Sequence, residues 1–309
     1  MKKLLFFISP LYWPAWLGFG LLWLIIQLPH HWRMNIGRWL GKLLHLFPTS
    51  IKHTTDVNLA ICFPELSEQE RKKLAKKNFE SLGIALIESA MAWWSPDHKL
   101  QNRYVLHGLE NLEHALAKGK GVIVLAPHFT CLELIGRLMG LDHTFGVMYR
   151  PHKKPFIAFI HGLFRKKYYE TYIPSNRVRQ LIQALQENQA IWYAYDIDGG
   201  MRRSSVFAPF FGVPTATLTT VSRLAKMTGA QVLTLSAYRE DNDTLYSIFL
   251  SEALTDFPTD DLVTDATHLN SLLEKAIRLA PEQYVWQYKR FKTRPKGLKR
   301  FYCSQSIRR

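Results

Sequence analysis

Hydrophobic positions change their spacing twice along this chain. From Leu4 to Leu28 no residue is charged, and Pro10 and Pro14 interrupt the run. As one helix it would reach roughly 37 Å, more than the ~30 Å hydrocarbon core of a bilayer. Counted from Pro14, only roughly 22 Å remains, so the run either crosses as a kinked helix or lies partly in the interface with its tryptophans at headgroup level. The run is long and no small-x-small site precedes Gln27-Leu-Pro-His-His, so it reads as an uncleaved membrane anchor over residues 1–30 rather than a signal peptide. Arg33, Arg38, Lys42 and Lys52 follow with no acid before Asp56, a flank that predicts a cytoplasmic body. Residues 31–64 read as one or two short amphipathic helices. Ser67-Glu-Gln-Glu70 is a capping box opening a helix to about Trp94. Residues 31–100 are thus expected to form a helical segment packed on the core.

Past Tyr104 short apolar runs alternate with helical spacing. Val122–Ala126, Thr144–Tyr149, Tyr169–Ile173, Ala190–Tyr195 and Gln231–Ala237 read as strands. Helices are expected near 109–118, 131–140, 154–166, 176–188 and 216–228. The turn cluster Arg239-Glu-Asp-Asn-Asp predicts an antiparallel strand over Thr244–Leu250, and Asp261 to Leu279 closes the pattern as a long helix. Residues 101–309 therefore predict an α/β core with a mainly parallel, mixed sheet flanked by helices, ending in a basic tail.

Composition narrows the partners. The chain has 309 residues and a formal net charge of +15, which favours phosphate-bearing ligands, acidic lipids, an acidic carrier protein or nucleic acid. Cys62, Cys131 and Cys303 match no zinc spacing and no disulfide framework. From Gln283 onward basic residues interleave with Tyr284, Trp286, Tyr288 and Phe291 and no acid occurs. With an anchor at the other end, that composition suits an anionic membrane better than nucleic acid.

The candidate chemistry begins at His128. Pro127 stops a buried strand, so His128 sits at the carboxyl end of that strand, just before a helix, where open α/β sheets carry their sites. Glu133 follows five residues later. On one regular helix the two side chains would diverge, but with His128 in the turn the chain can bend so that they meet. An imidazole beside a carboxylate is a general base with a fixed tautomer. The alternative is a histidine satisfied by backbone and a glutamate favouring a helix N-terminus. Arg150 leaves a strand on the same edge, and Arg165 ends the next helix; both suit bidentate contacts to phosphate or carboxylate. The strand Ala190–Tyr195 runs into Asp196-Ile-Asp198-Gly-Gly-Met-Arg202-Arg203. The glycines let backbone approach an anion, and the aspartates either orient the arginines or bond a sugar. Two carboxylates two apart with no third ligand nearby are weak evidence for a metal site. Phe207-Ala-Pro-Phe-Phe-Gly-Val-Pro214 reads as an apolar segment, either lining a hydrocarbon pocket or packed as a plain loop.

The ordered set His128-Phe-Thr-Cys-Leu-Glu133, Arg150-Pro151, Ile191 to Gly200, Arg203 to Gly212, Thr228-Gly-Ala230 and Pro281 to Pro295 resembles the late acyltransferases of lipid A biosynthesis, within the lysophospholipid acyltransferase superfamily. Ile197, Gly199 and Tyr288 depart from the pattern at positions that bear on substrate detail. The resemblance implies a glycerol-3-phosphate acyltransferase-like fold on the cytoplasmic side of a bacterial inner membrane. It implies acyl transfer from acyl carrier protein to a hydroxyl of a Kdo-bearing lipid A precursor, without cofactor or metal. By position it makes His128 the general base, with Glu133 as its partner. It places Arg150, Arg165, Asp196, Asp198, Arg202 and Arg203 in substrate binding, and backbone amides near Cys131, or an arginine, at the oxyanion. A glycerolipid acyltransferase of the same superfamily would share this chemistry but more often carries Asp at the Glu133 position; the non-enzyme alternative is a basic membrane-anchored binding protein in which His128 and Glu133 are structural and binding is salt-sensitive.

Overall fold

A computed structural model describes residues 7, 9–166 and 168–302. Lys2, Lys3, Lys167, Cys303, Arg308 and Arg309, like the first residues of the uncharged run, lie outside the described residues. The prolines of that run start helices instead of kinking one. Pro10 opens a single 3-10 turn, and Pro14 stands in the first turn of α1 (Trp13–Ile25). Thirteen residues reach about 20 Å. Among the described residues no helix is long and apolar enough to cross a membrane. One side of α1 is seated on the body: Phe19 stacks on Trp93 at 5.8 Å, and Trp16 packs edge-on against Phe156 at 5.3 Å. The other side is exposed, Leu17 at 75%.

Helices α2 (His30–Leu46), α3 (Ser50–Cys62) and α4 (Glu68–Trp94) follow, the last capped by the expected Ser67–Glu70 box. α2 and α4 cross backbone to backbone. A Cβ added at Gly83 would stand 2.1 Å from the Gly37 carbonyl oxygen, so only glycine allows the approach.

The core is one sheet of β1 (Tyr104–His107), β2 (Val122–Leu125), β3 (Gly146–Tyr149), β4 (Thr171–Pro174), β5 (Ala190–Tyr193), β8 (Gln231–Arg239) and β9 (Tyr246–Leu250). Their spatial order is β1-β9-β8-β2-β5-β3-β4. Only β8 and β9 pair antiparallel within it. The sheet is thus mainly parallel and mixed, as the alternation predicts. β2 and β5 are buried throughout, which is why their sequences run apolar without alternating. Helices α5 (Leu109–Leu116), α6 (Leu132–Asp142), α7 (Pro155–Arg165), α8 (Val178–Gln186), α9 (Thr220–Thr228) and α10 (Leu262–Leu279) complete the order.

The segment Phe207–Pro214 belongs to a separate hairpin, β6 (Ser205–Phe210) and β7 (Val213–Leu218), and β7 takes the residues expected to begin a helix at 216. Its turn holds Phe211 at φ 48° and Gly212 at φ 71°, the two left-handed positions of a tight hairpin turn. Phenylalanine in place of the usual Asn, and prolines facing each other at 209 and 214, hide that signal. After α10 the chain returns as an irregular strap, 281–302, across the carboxyl edge of β2 and β5.

Candidate active site

β2 and β5 are parallel neighbours in register from Val122↔Ala190 to Leu125↔Tyr193. The turn after β2 and the turn after β5 therefore meet at one edge. His128 comes from the first and Asp196 from the second. The imidazole Nδ1 lies 2.6 Å from Asp196 Oδ1, and the His128 backbone N–H donates to Oδ2 at 2.9 Å. A carboxylate only accepts, so Nδ1 carries the proton and Nε2 is left basic. Asp196 is buried, while 41% of the His128 side chain is open to solvent. The Asp196 charge holds the His128 pKa above the ordinary histidine value against the opposing effect of burial. Burial pushes Asp196 upward, but the His128 charge and hydrogen bonds outweigh it and the net shift is down.

A third donor comes from the strap. The Tyr284 hydroxyl donates to Asp196 Oδ2 at 3.0 Å. Strap and turn are sewn together: Val285 N–H donates to the His128 carbonyl at 2.9 Å, and Thr130 N–H donates to the Gln283 carbonyl at 2.7 Å. Buried Asn78, on α4, holds the strap from behind through the carbonyls of Glu282 and Tyr284.

The carboxylate on the His128 ring is thus Asp196, and the meeting of His128 with Glu133 expected from their spacing is replaced by another pair. Glu133 lies in the first turn of α6, and its carboxylate is taken by Arg165 at the end of α7. Arg165 Nε is 3.0 Å from both oxygens, and its terminal nitrogen makes a further contact. Trp93 Nε1 donates to Glu133 Oε1 at 3.0 Å. Burial raises the Glu133 pKa, but the bonds and charge of Arg165 outweigh it and leave it lowered. The pair is not remote from the histidine, because the Arg165 charge opposes protonation of His128.

The remaining expected residues are dispersed. Asp198 is engaged by the strap: it accepts from Thr293 N–H at 2.7 Å, Thr293 Oγ1 at 2.8 Å and Gly200 N–H at 2.8 Å. Arg202 and Arg203 are exposed on the loop before β6. Arg150 is exposed after β3 and borders an apolar cavity of about 830 Å³ with Tyr149, Phe159, Leu163 and Tyr172. Near the helix start, the amides of His128, Phe129 and Thr130 are already engaged by Asp196, Pro127 and Gln283.

A family model described as bacterial lipid A biosynthesis acyltransferase matches residues 1–293. The chain belongs to that family. Among its relatives, the lipid A biosynthesis palmitoleoyltransferase of Escherichia coli (strain K12) is 38% identical over 94% of this chain and 95% of that protein. The lipid A biosynthesis lauroyltransferase of the same organism matches to the same extent, 38% over 94% and 95%. A lipid A biosynthesis acyltransferase of Haemophilus influenzae (strain ATCC 51907 / DSM 11121 / KW20 / Rd) is 31% identical over 94% and 93%. A solved structure, the 1-acyl-sn-glycerophosphate acyltransferase of Thermotoga maritima, is 15% identical with a TM-score of 0.34, covering 77% of this chain and 98% of that one. That last likeness is too loose to carry an argument. As a lipid A biosynthesis acyltransferase, the chain is an enzyme that transfers an acyl group, and its His128–Asp196 pair lies inside the matched region.

Sequence reasoning missed two participants. Trp93, near the end of the helix expected to run to about Trp94, donates to Glu133. Tyr284, seen only as one aromatic of a basic tail, donates to Asp196. Their local sequence carries no sign of either contact, since both partners are distant in the chain.

Proposed function

We propose that this acyltransferase moves a fatty acyl chain of the lauroyl or myristoyl class from acyl carrier protein to a hydroxyl of a Kdo-bearing lipid A precursor, with His128 as general base. The observation that carries the reading is the His128 Nδ1–Asp196 contact of 2.6 Å, with the opposite edge of the ring open at the carboxyl end of the sheet. A hydroxyl is a poor nucleophile until a base takes its proton. Nε2 takes it as the oxygen attacks the thioester carbonyl carbon. Asp196 stabilises the imidazolium. The tetrahedral intermediate collapses, the carbon–sulfur bond breaks, and the imidazolium returns the proton to the leaving thiolate. Glu133 holds Arg165 beside this centre, where its positive charge keeps the base from over-protonating and can face developing negative charge. The apolar cavity beside Arg150 suits the acyl chain. Arg150, Arg202 and Arg203 present exposed cations to an anionic acceptor. Asp198 serves the acceptor site indirectly, by fixing the loop that carries Arg202 and Arg203.

We place the enzyme on the cytoplasmic face of a bacterial inner membrane. Support comes from the exposed apolar side of α1, from Trp39, 62% exposed on α2, and from the basic flank that follows α1. The prolines and the length of α1 favour a helix lying in the interface over one that spans.

The deciding assay uses the purified protein with acyl carrier proteins of several chain lengths and lipid IVA with or without Kdo, read by mass spectrometry. Mass gain by one acyl unit, lost in His128→Ala, is expected. Full turnover in a folded His128→Ala variant would remove the base assignment, and no transfer from any acyl carrier protein would remove the donor.

A further inference from the structure

A second cavity, of about 540 Å³, opens on the same sheet edge as His128 but at its other end. β1 begins immediately after Arg103, its first residue pairs with Tyr246 of β9, and Tyr246 pairs with Arg239, the last residue of β8. β8 is the neighbour of β2. The cavity thus stands three strand spacings, roughly 14 Å, from the acyl-transfer centre.

Its lining is one-sided in charge. Arg33, His98, Lys99 and Arg103 line it, and no Asp or Glu does. The acids nearest in sequence are engaged elsewhere: Asp97 by Arg137, and Asp243 by Arg38 and Arg239. Arg33 uses Nε on the Leu28 carbonyl at 2.7 Å, and Arg103 approaches the Thr244 carbonyl at 3.4 Å. Each guanidinium therefore keeps nitrogens for another acceptor. Among the described residues neither forms an ion pair. The two charges also oppose each other: burial, then the Arg103 charge, lowers the Arg33 pKa. His30 is pushed down to about 4 by burial, then by Arg103 and Arg33. Cations gathered without a counter-charge are destabilising unless an anion joins them. The other wall is apolar, made by Met91, Leu100 and Leu245. Beside Arg33, Leu28 and Trp32 are exposed.

We propose that this cavity is a second anion site, holding a phosphate group between Arg33 and Arg103. Two planar guanidinium forks match phosphate geometry, and Lys99 and His98 add donors at the mouth. The apolar wall and the exposed Leu28 and Trp32 favour a lipid headgroup as the source, its tails lying against that surface. Free phosphate is the other source of the same chemistry.

The test is calorimetric titration of the full-length protein in neutral detergent, with monomeric dihexanoylphosphatidylglycerol in one arm and inorganic phosphate in the other. A saturable site that requires Arg33 and Arg103 is expected. Arg33→Gln and Arg103→Gln should each weaken it about tenfold or more, because each removes a charge-assisted pair. Arg103→Lys should recover only part, since it keeps charge but loses the fork. The exposed Lys77→Gln, with equal charge loss, should leave it unchanged. Binding of the lipid alone identifies a headgroup, and equal binding of both probes identifies phosphate itself; either supports the site. The proposal is overturned by lack of saturable binding in both arms, by wild-type affinity in the Gln variants, or by equal weakening in the lysine control. If the Gln variants do not fold, Arg103→Lys carries the test, and undiminished affinity there overturns it.

Discussion

Tyr284 and His128 grip the same oxygen of one buried carboxylate: the phenol and the His128 amide both donate to Asp196 Oδ2, leaving Oδ1 for the imidazole. Asp196 is therefore oriented from two directions before it meets the ring. Removing the phenol in Tyr284→Phe loses one hydrogen bond to a charged acceptor, worth about 1.5–3 kcal/mol. The expected outcome is a kcat lowered about tenfold to a hundredfold with little change in either KM, the pattern of a lost supporting contact. Steady-state kinetics checks it. A kcat equal to wild type would show that Asp196 holds its place without the strap.

Asp196→Asn should have the larger effect, about two to four orders of magnitude in kcat/KM, because the amide no longer fixes the proton on Nδ1. The pH profile gives a separate readout. Asp196 raises the His128 pKa above 6.5, so the base form in the wild type appears only as pH rises through that raised value. In Asp196→Asn the acid limb of kcat/KM should move to lower pH. Stability follows the same sign. The contribution of the raised histidine is full below its unfolded pKa and fades as pH rises through the folded value. That of the lowered aspartate is present above 3.8 and fades as pH falls. The melting-temperature difference between wild type and variant should therefore be largest in weakly acidic buffer. An acid limb that stays in place would disconnect Asp196 from the base.

Glu133 and Arg165 should behave as a unit. Arg165→Ala leaves a mostly buried carboxylate without its cation, and Glu133→Gln does the reverse. Each is expected to lower stability by about 2–3 kcal/mol, below the value for fully buried pairs because a quarter of the Arg165 side chain meets water. The double variant should lose clearly less than the sum. Denaturant melts of the four proteins measure the cycle; simple additivity would mean the two residues act apart.

Asp198 sits among the residues expected to bind substrate, yet its donors are Thr293 and Gly200. Asp198→Ala should lower the melting temperature by several degrees and make the 196–203 loop more protease-sensitive. Any rise in acceptor KM should track that loosening and be relieved by lower assay temperature. A raised KM with unchanged melting and proteolysis would return Asp198 to direct contact.

Six of the seven strands of the main sheet, their order of appearance and the position of His128 are legible because they rest on local information: apolar runs, a proline stop and a helical period; β1 is too short and too exposed on alternate residues to stand out. The pairing of His128 is not. His128–Glu133 is a proximity in sequence, while His128–Asp196 is a consequence of β2 and β5 being neighbours, and neighbour order in a parallel sheet leaves no mark on either strand. The β6–β7 hairpin was hidden for a different reason: Phe211 occupies a left-handed position that packing imposes against its own preference. The uncharged N-terminal run shows the converse. Its composition suggests length, but Pro14 sets where α1 begins, and thirteen residues follow from that.

The strap makes the site depend on two distant stretches of chain at once. The turns after β2 and β5 bring His128 and Asp196 together, but the phenol that completes the hold on the carboxylate comes from about ninety residues further along the chain. Asn78 and Gln283 cannot sew the turn without that last segment. A chain truncated ahead of residue 281 would lose Trp286 and Phe291 from the core together with the Tyr284 phenol, so the damage would reach the α/β body as well as the Asp196 carboxylate.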